Sequence, residues 1–179
     1  MNATEKPTAQ ARKLETPLPH PALVHPPIDP ALVALQLGCL GERSVVARRG
    51  SFEVRALGAP IERELRLELG RLREQRARLA GRGTGRPADL DDVELRCVHV
   101  VVWCTERQAI AAAACVLDPR DARASLRVVD GCHDGRSGTI DVARSFVSVG
   151  FGETDAAVAL LRGIDAWLAA PAPAAAAAE

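Results

Sequence analysis

The apolar positions of the chain change period between residues 138 and 168. Up to Val147 they alternate: Ile140 and Val142, then Ser145-Phe146-Val147, fit a strand half-buried on one face. Gly150-Phe151-Gly152 ends that strand. Beyond it the spacing turns helical, with Val158, Leu161, Ile164 or Asp165 and Leu168 in one row and Ala157, Leu160, Ile164 and Trp167 in a second. Thr154 is placed to cap this helix, Asp155 falls in its first turn, where an acid suits the positive end of the dipole, and Pro171 stops it. A strand, a small-residue turn and a helix N-terminus leave N–H groups facing outward, a usable ligand platform. On the pattern alone, an ordinary strand–helix unit is the simpler reading.

Upstream, Asp29-Pro30 opens a short helix to about Leu40, because Asp caps well and proline suits the first helical position. Residues 51–57 alternate Phe52, Val54 and Ala56 against Glu53 and Arg55, which predicts a strand. The clearest helix starts at Pro60. Glu62 and Glu64 occupy its first turn, Arg76 and Arg78 its last, and Gly81 follows as the stop. Ile61, Leu65, Leu69, Leu72 and Leu79 form its apolar face, with the pairs Glu62–Arg66 and Glu74–Arg78 expected on the wet side. Residues 98–103 and 109–117 read as an antiparallel hairpin turning through Cys104-Thr105-Glu106-Arg107-Gln108, although an alanine run is poor strand material. A short strand is expected at 126–129. Residues 1–28, rich in proline, read as a disordered arm, 29–170 as the folded domain, and 171–179 as a fraying alanine-rich tail.

Composition narrows the function classes. A chain of 179 residues with 47% apolar positions suits one domain with a real core. Lys+Arg and Asp+Glu are both 23, so no net field favours nucleic acid, and 3% aromatics leave few platforms for stacking bases. Five cysteines include no Cys-x-x-Cys, and three lie in apolar runs where a free thiol behaves as a small hydrophobe. A reducing compartment follows. No secretory h-region or membrane-length apolar run is present, so the chain reads as cytoplasmic, with peripheral membrane contact compatible.

Three stretches invite chemistry. Gly81-Arg82-Gly83-Thr84-Gly85-Arg86-Pro87 lacks the preceding strand and the Gly-Lys-Ser/Thr ending of a P-loop, and is read as a flexible loop. Asp89, Asp91, Asp92 and Glu94 form a solvated turn or, beside a cleft, a hold for a cationic group. Cys132-His133-Asp134 stands among loop glycines with no second ligand pair, so no metal site is expected.

The order strand, long helix, acidic loop, hairpin, strand, helix matches the first part of a GNAT acyltransferase. Gly70-Arg71-Leu72-Arg73-Glu74, Gly81-x-Gly83-Thr84-Gly85, Asp89-Leu90-Asp91, His99, Trp103, Ala143-Arg144-Ser145-Phe146-Val147 and Arg162-Gly163-Ile164 resemble one branch of it. That branch is the hemolysin-like acyltransferases, which include ornithine-lipid N-acyltransferases and are distantly related to acyl-homoserine-lactone synthases. The resemblance spans roughly residues 29–168. It implies an α/β (α+β) fold with a mixed, mostly antiparallel sheet flanked by helices. The activity it implies is transfer of a fatty acyl group from an acyl carrier protein or coenzyme A thioester to an amine or hydroxyl. The thioester is a co-substrate, and no tightly bound cofactor is expected.

Within the resemblance, Asp141 and Arg144 match a catalytic carboxylate and arginine on the central strand, where the family more often has Glu. Asp141 would orient or deprotonate the nucleophile, and a bulge there would turn backbone N–H groups to the thioester carbonyl. Arg73, Asp91 and Glu94 match the acceptor side, Glu94 replacing a second Asp, and Ser145 and Phe146 would meet substrate. The chain departs from the family at Ala112 and Cys115, which replace a Gly and an Arg, and at Ala77, which replaces an aromatic. It is also expected to lack the next strand, which forms the second wall of the thioester cleft. An edge left open in this way would suit a partner chain. Two outcomes follow: an active acyltransferase, or a catalytically silent homologue that binds a partner.

Overall fold

A computed structural model describes residues 22–116 and 142–170. The elements are α1 (Pro30–Cys39), β1 (Val45–Arg49), β2 (Phe52–Leu57), α2 (Arg63–Leu79), β3 (Val98–Cys104), β4 (Ala109–Val116), β5 (Val142–Val147) and α3 (Glu153–Ala169). The strands form one open sheet in the order β1-β2-β3-β4-β5, and every neighbouring pair is antiparallel. The fold is therefore α+β, a five-stranded antiparallel sheet flanked by helices, in line with the alternating elements of the sequence.

Each face has its own core. Val33 and Leu37 of α1 and Leu65, Leu69 and Leu72 of α2 pack on Leu57, Val101, Trp103, Ile110 and Phe146. On the opposite face, Ala156, Ala159, Leu160, Ile164 and Trp167 of α3 pack on Val54, Val100, Val102 and the β4 alanines 111, 112 and 114. Covering both faces explains why β3 is apolar on both sides, with His99 alone breaking the run, rather than alternating. It also explains the alanines. Their low strand propensity is overridden because small side chains let α3 lie close to the sheet. A Cβ on Gly163 of α3 would stand 2.2 Å from Val54 Cγ1, so only glycine fits at that crossing.

The α1 boundary is as expected: Asp29 Oδ1 accepts from Ala31 N at 2.9 Å, and Pro30 opens the helix. Other boundaries differ. β1 has no counterpart in the sequence reading, because Val45-Val46-Ala47-Arg48-Arg49 shows no alternation. It forms a hairpin with β2 that carries an extra residue between Val45 and Ala47. α2 begins at Arg63, three residues after Pro60, with Glu62 as its cap. Leu79, expected on the apolar face, is 65% exposed, whereas Glu74, expected on the wet side, is fully buried. Glu68, Arg71 and Arg73 are buried with it. Gly152, not Thr154, caps α3, without a side-chain hydrogen bond. Of the two α3 rows, the one with Leu160, Ile164 and Trp167 faces the core, and Leu161 points outward.

The expected disordered arm is not free along its whole length. Ala22 N donates to Gly85 O at 3.0 Å, and His25 N to Pro87 O at 2.8 Å. The expected strand at 126–129, Cys132-His133-Asp134, Ile140, Asp141 and the 171–179 tail lie outside the described residues. Among the described residues no helix is long and apolar enough to cross a membrane.

Candidate functional site

β5 is not a regular strand. Ala113 pairs with Phe146 and Cys115 with Ala143, so two steps along β4 answer three along β5. The extra residue falls at Arg144–Ser145, a β-bulge of the kind the resemblance implied. Arg144 takes it up with φ at +56°, a left-handed conformation that non-glycine residues rarely adopt.

From this bulge the Arg144 guanidinium reaches three carboxylates. It pairs with Asp91, and its Nη1 lies 3.5 Å from both Asp89 Oδ1 and Glu94 Oε1. Arg73 approaches from α2. It pairs with Glu94, and its Nη2 donates to Asp89 O at 3.2 Å. Its Nε lies 3.1 Å from Asp89 Oδ2, close enough for an ion pair though too poorly aligned to donate. The acidic segment is docked on α2 through Asp89 N, which donates to Gly70 O at 3.0 Å. A Cβ on Gly70 would stand 2.6 Å from Leu90 Cδ2 and 2.9 Å from Asp89 O, so this approach requires glycine. Burial pushes the Glu94 carboxyl above its ordinary range; Arg73 opposes this without reversing it.

A thiol–imidazole cluster adjoins this network on the α2 face. His99 Nε2 lies 3.0 Å from Glu94 O, and His99 Nδ1 lies 3.6 Å from Cys115 Sγ. Cys97 Sγ is 3.9 Å from His99 Nε2, and Arg73 Nη1 donates to Cys115 Sγ at 3.8 Å. Contact with Cys97, opposed by burial and helped by His99 and Arg73, draws the Cys115 thiol below its ordinary range. The same contact, with burial, pushes the Cys97 thiol up. Reading these cysteines as inert hydrophobes missed the cluster. The signal was present: Cys97 and His99 are two apart, and a hairpin placing Cys115 opposite His99 brings all three to one face.

The outer edge of β5 has no strand partner among the described residues. Along it lies a cavity of 580 Å³, walled by Arg73, Arg76 and Ala77 of α2, by Ser145, Phe146 and Val147, and by Ala157 of α3. Below β5, Arg107 fixes the turn into α3. Its Nη1 donates to Gly150 O at 2.7 Å and its guanidinium stands 4.0 Å over the Phe151 ring. A second cavity of 240 Å³ lies between Ile28, Glu68, Arg71, Trp103 and Ser148.

Comparison with family models, with curated proteins and with solved structures returns no match for this chain. The geometry must therefore carry the functional reading. Of the residues singled out from sequence, Arg73, Asp91, Glu94 and Arg144 meet in one network, and Ser145 and Phe146 line the adjoining cavity. Asp89 joins them, while Asp92 is exposed. Of the acids read as a solvated turn or a hold for a cationic group, Asp89, Asp91 and Glu94 face the chain's own arginines. Cys115 lies against Arg73.

Proposed function

We propose that the chain is a GNAT-type acyltransferase, acting in the cytoplasm or at a membrane surface. It transfers a fatty acyl group from an acyl carrier protein or coenzyme A thioester to an amine or hydroxyl of a lipid precursor. The observation that carries this reading is the bulge at Arg144–Ser145 on the strand that borders the larger cavity. A bulge leaves its extra residue out of the ladder, so N–H groups there are available to a thioester carbonyl. The donor lies along the β5 edge, in the cavity lined by Ser145, Phe146 and Val147. The acceptor enters from the side of the acidic segment. Asp141, next in sequence to β5, takes the acceptor proton as the nucleophile attacks; the tetrahedral intermediate then collapses, and the departing thiolate takes that proton and leaves as the free thiol.

The direct test is thiol release from acyl-carrier protein or acyl-CoA in the presence of amine and hydroxyl acceptors. Asp141→Ala and Arg144→Ala are each expected to lower the rate by about 100-fold or more. One observation favours a second reading, a silent partner-binding homologue: Asp89, Asp91 and Glu94 already face Arg73 and Arg144. No thiol release from the unaltered chain, or an Asp141→Ala chain indistinguishable from it, selects that alternative.

A further inference from the structure

Cys97, His99 and Cys115 each place one donor atom within 4.8 Å of the others, and all three side chains are buried. We infer that they form a site for Zn²⁺. The inference is independent of the acyl-transfer reading.

The donor set is the first reason. Two thiolates and an imidazole are the ligands a borderline-soft divalent ion selects. Tetrahedral zinc, with bonds of about 2.3 Å to sulfur and 2.0–2.1 Å to nitrogen, holds adjacent ligand atoms roughly 3.5–3.8 Å apart. Cys115 Sγ and His99 Nδ1 stand 3.6 Å apart without an ion.

The surroundings are the second. A ligating histidine normally donates its other ring N–H to a carbonyl or carboxylate, which fixes the tautomer. His99 Nε2 lies 3.0 Å from Glu94 O, which leaves the Nδ1 lone pair on the side of Cys115. Arg73 Nη1 donates to Cys115 Sγ, as suits a metal-bound sulfur. Three protein ligands leave the fourth position to water.

Charge balance is the third. Once both thiol protons have left, Zn²⁺, two thiolates and a neutral imidazole sum to zero, so the loaded cluster adds no net charge beneath the arginine–carboxylate network. The strand register fixes the ligands, because His99 and Cys115 are directly paired across β3 and β4. An ion here would pin the two central strands together below the cleft.

The test uses the full reduced chain, refolded from denaturant with Co²⁺ so that a buried site can load. One equivalent of Co²⁺ is expected to give thiolate-to-cobalt charge-transfer absorption, which Zn²⁺ then abolishes. Cys97→Ser and Cys115→Ser should each remove the absorption. His99→Gln should weaken binding by more than the roughly 10–100-fold that loss of a supporting contact costs. A Cys39→Ser/Cys104→Ser/Cys132→Ser chain keeps the cluster intact and should bind as the parent does, so the answer does not require the cluster variants to fold. Absence of the charge-transfer band from the parent chain overturns the inference. So does a band that vanishes in that triple variant, because the ion would then sit on other cysteines.

Discussion

Glu74 shows at the residue scale how a charge is kept in the interior of this fold. It is fully buried, yet its carboxylate accepts from Arg78 Nε at 2.6 Å, Thr84 Oγ1 at 2.7 Å, Thr84 N at 2.8 Å and Gly85 N at 3.0 Å. Burial alone would raise its pKa; the hydrogen bonds from Arg78, Thr84 and Gly85 outweigh it and hold the group at about 2, against an ordinary 4.5. A folded-state pKa below the unfolded one stabilises the fold above the ordinary value. That contribution is lost as pH falls from 4.5 through about 2. At about 1.4 kcal/mol per pH unit, the loss amounts to roughly 3 kcal/mol at most. Glu74→Gln should therefore cost about 1.5–3 kcal/mol at neutral pH, as expected for a hydrogen-bonded charge. It should also flatten the fall in stability between pH 4.5 and 2, measured by urea unfolding at several pH values. Equal acid slopes for the two chains would mean that some other group governs the loss. The i,i+4 spacing of Glu74 and Arg78 was legible in the sequence. The burial of Glu74 was not, because the residues that cover it come from a glycine-rich loop without periodicity.

At the scale of elements, two glycines set how closely the helices approach. Gly163 faces Val54 across the α3–sheet contact, and Gly70 faces the backbone of Asp89. Alanine at either position gains up to about 1 kcal/mol of helix propensity, set against an overpacking cost of roughly 1–3 kcal/mol. For Gly163→Ala, with a contact of 2.2 Å to resolve, overpacking wins. Denaturant melts should show a net loss that shrinks when Val54→Ala is added, the non-additivity of a direct contact. For Gly70→Ala the neighbour is partly backbone, so the acidic segment must shift and Asp89 moves away from Arg73 and Arg144. The proposed acyl transfer should then fall more than stability does; loss of stability alone would make Gly70 a packing residue only. α3 could be read from the sequence by its period, because it buries a regular stripe, and β3 and β4 as apolar runs, because both faces of the sheet are covered. The β1 bulge could not, since an extra residue changes the pairing of a strand without changing its composition, and the β5 bulge was expected from the resemblance alone.

The two faces of the whole molecule have different work. α3 seals one with alanine against alanine, and α2 with its acidic loop holds the ions on the other. Arg144 and Asp91 are 53 residues apart in sequence, so their meeting follows from sheet order and helix placement, which no local pattern encodes. The same sheet order predicts where the backbone opens. Val100, Val101 and Val102, and Ala111, Ala112, Ala113 and Ala114 of β4, lie inside the sheet with exposure of 3% or less, and their amides should exchange slowest with solvent. β5 pairs with β4 alone among the described residues and should open at lower cost. The phosphopantetheine arm shared by coenzyme A and carrier proteins carries amide groups of its own, which an unpaired strand edge can meet. Acyl-CoA should therefore slow exchange at Ser145–Val147 and in the last turns of α2, where the 580 Å³ cavity lies. Protection around Ile28, Trp103 and Ser148 instead would place the donor in the smaller cavity, away from the bulge, and the proposed chemistry at Arg144 would fail with it.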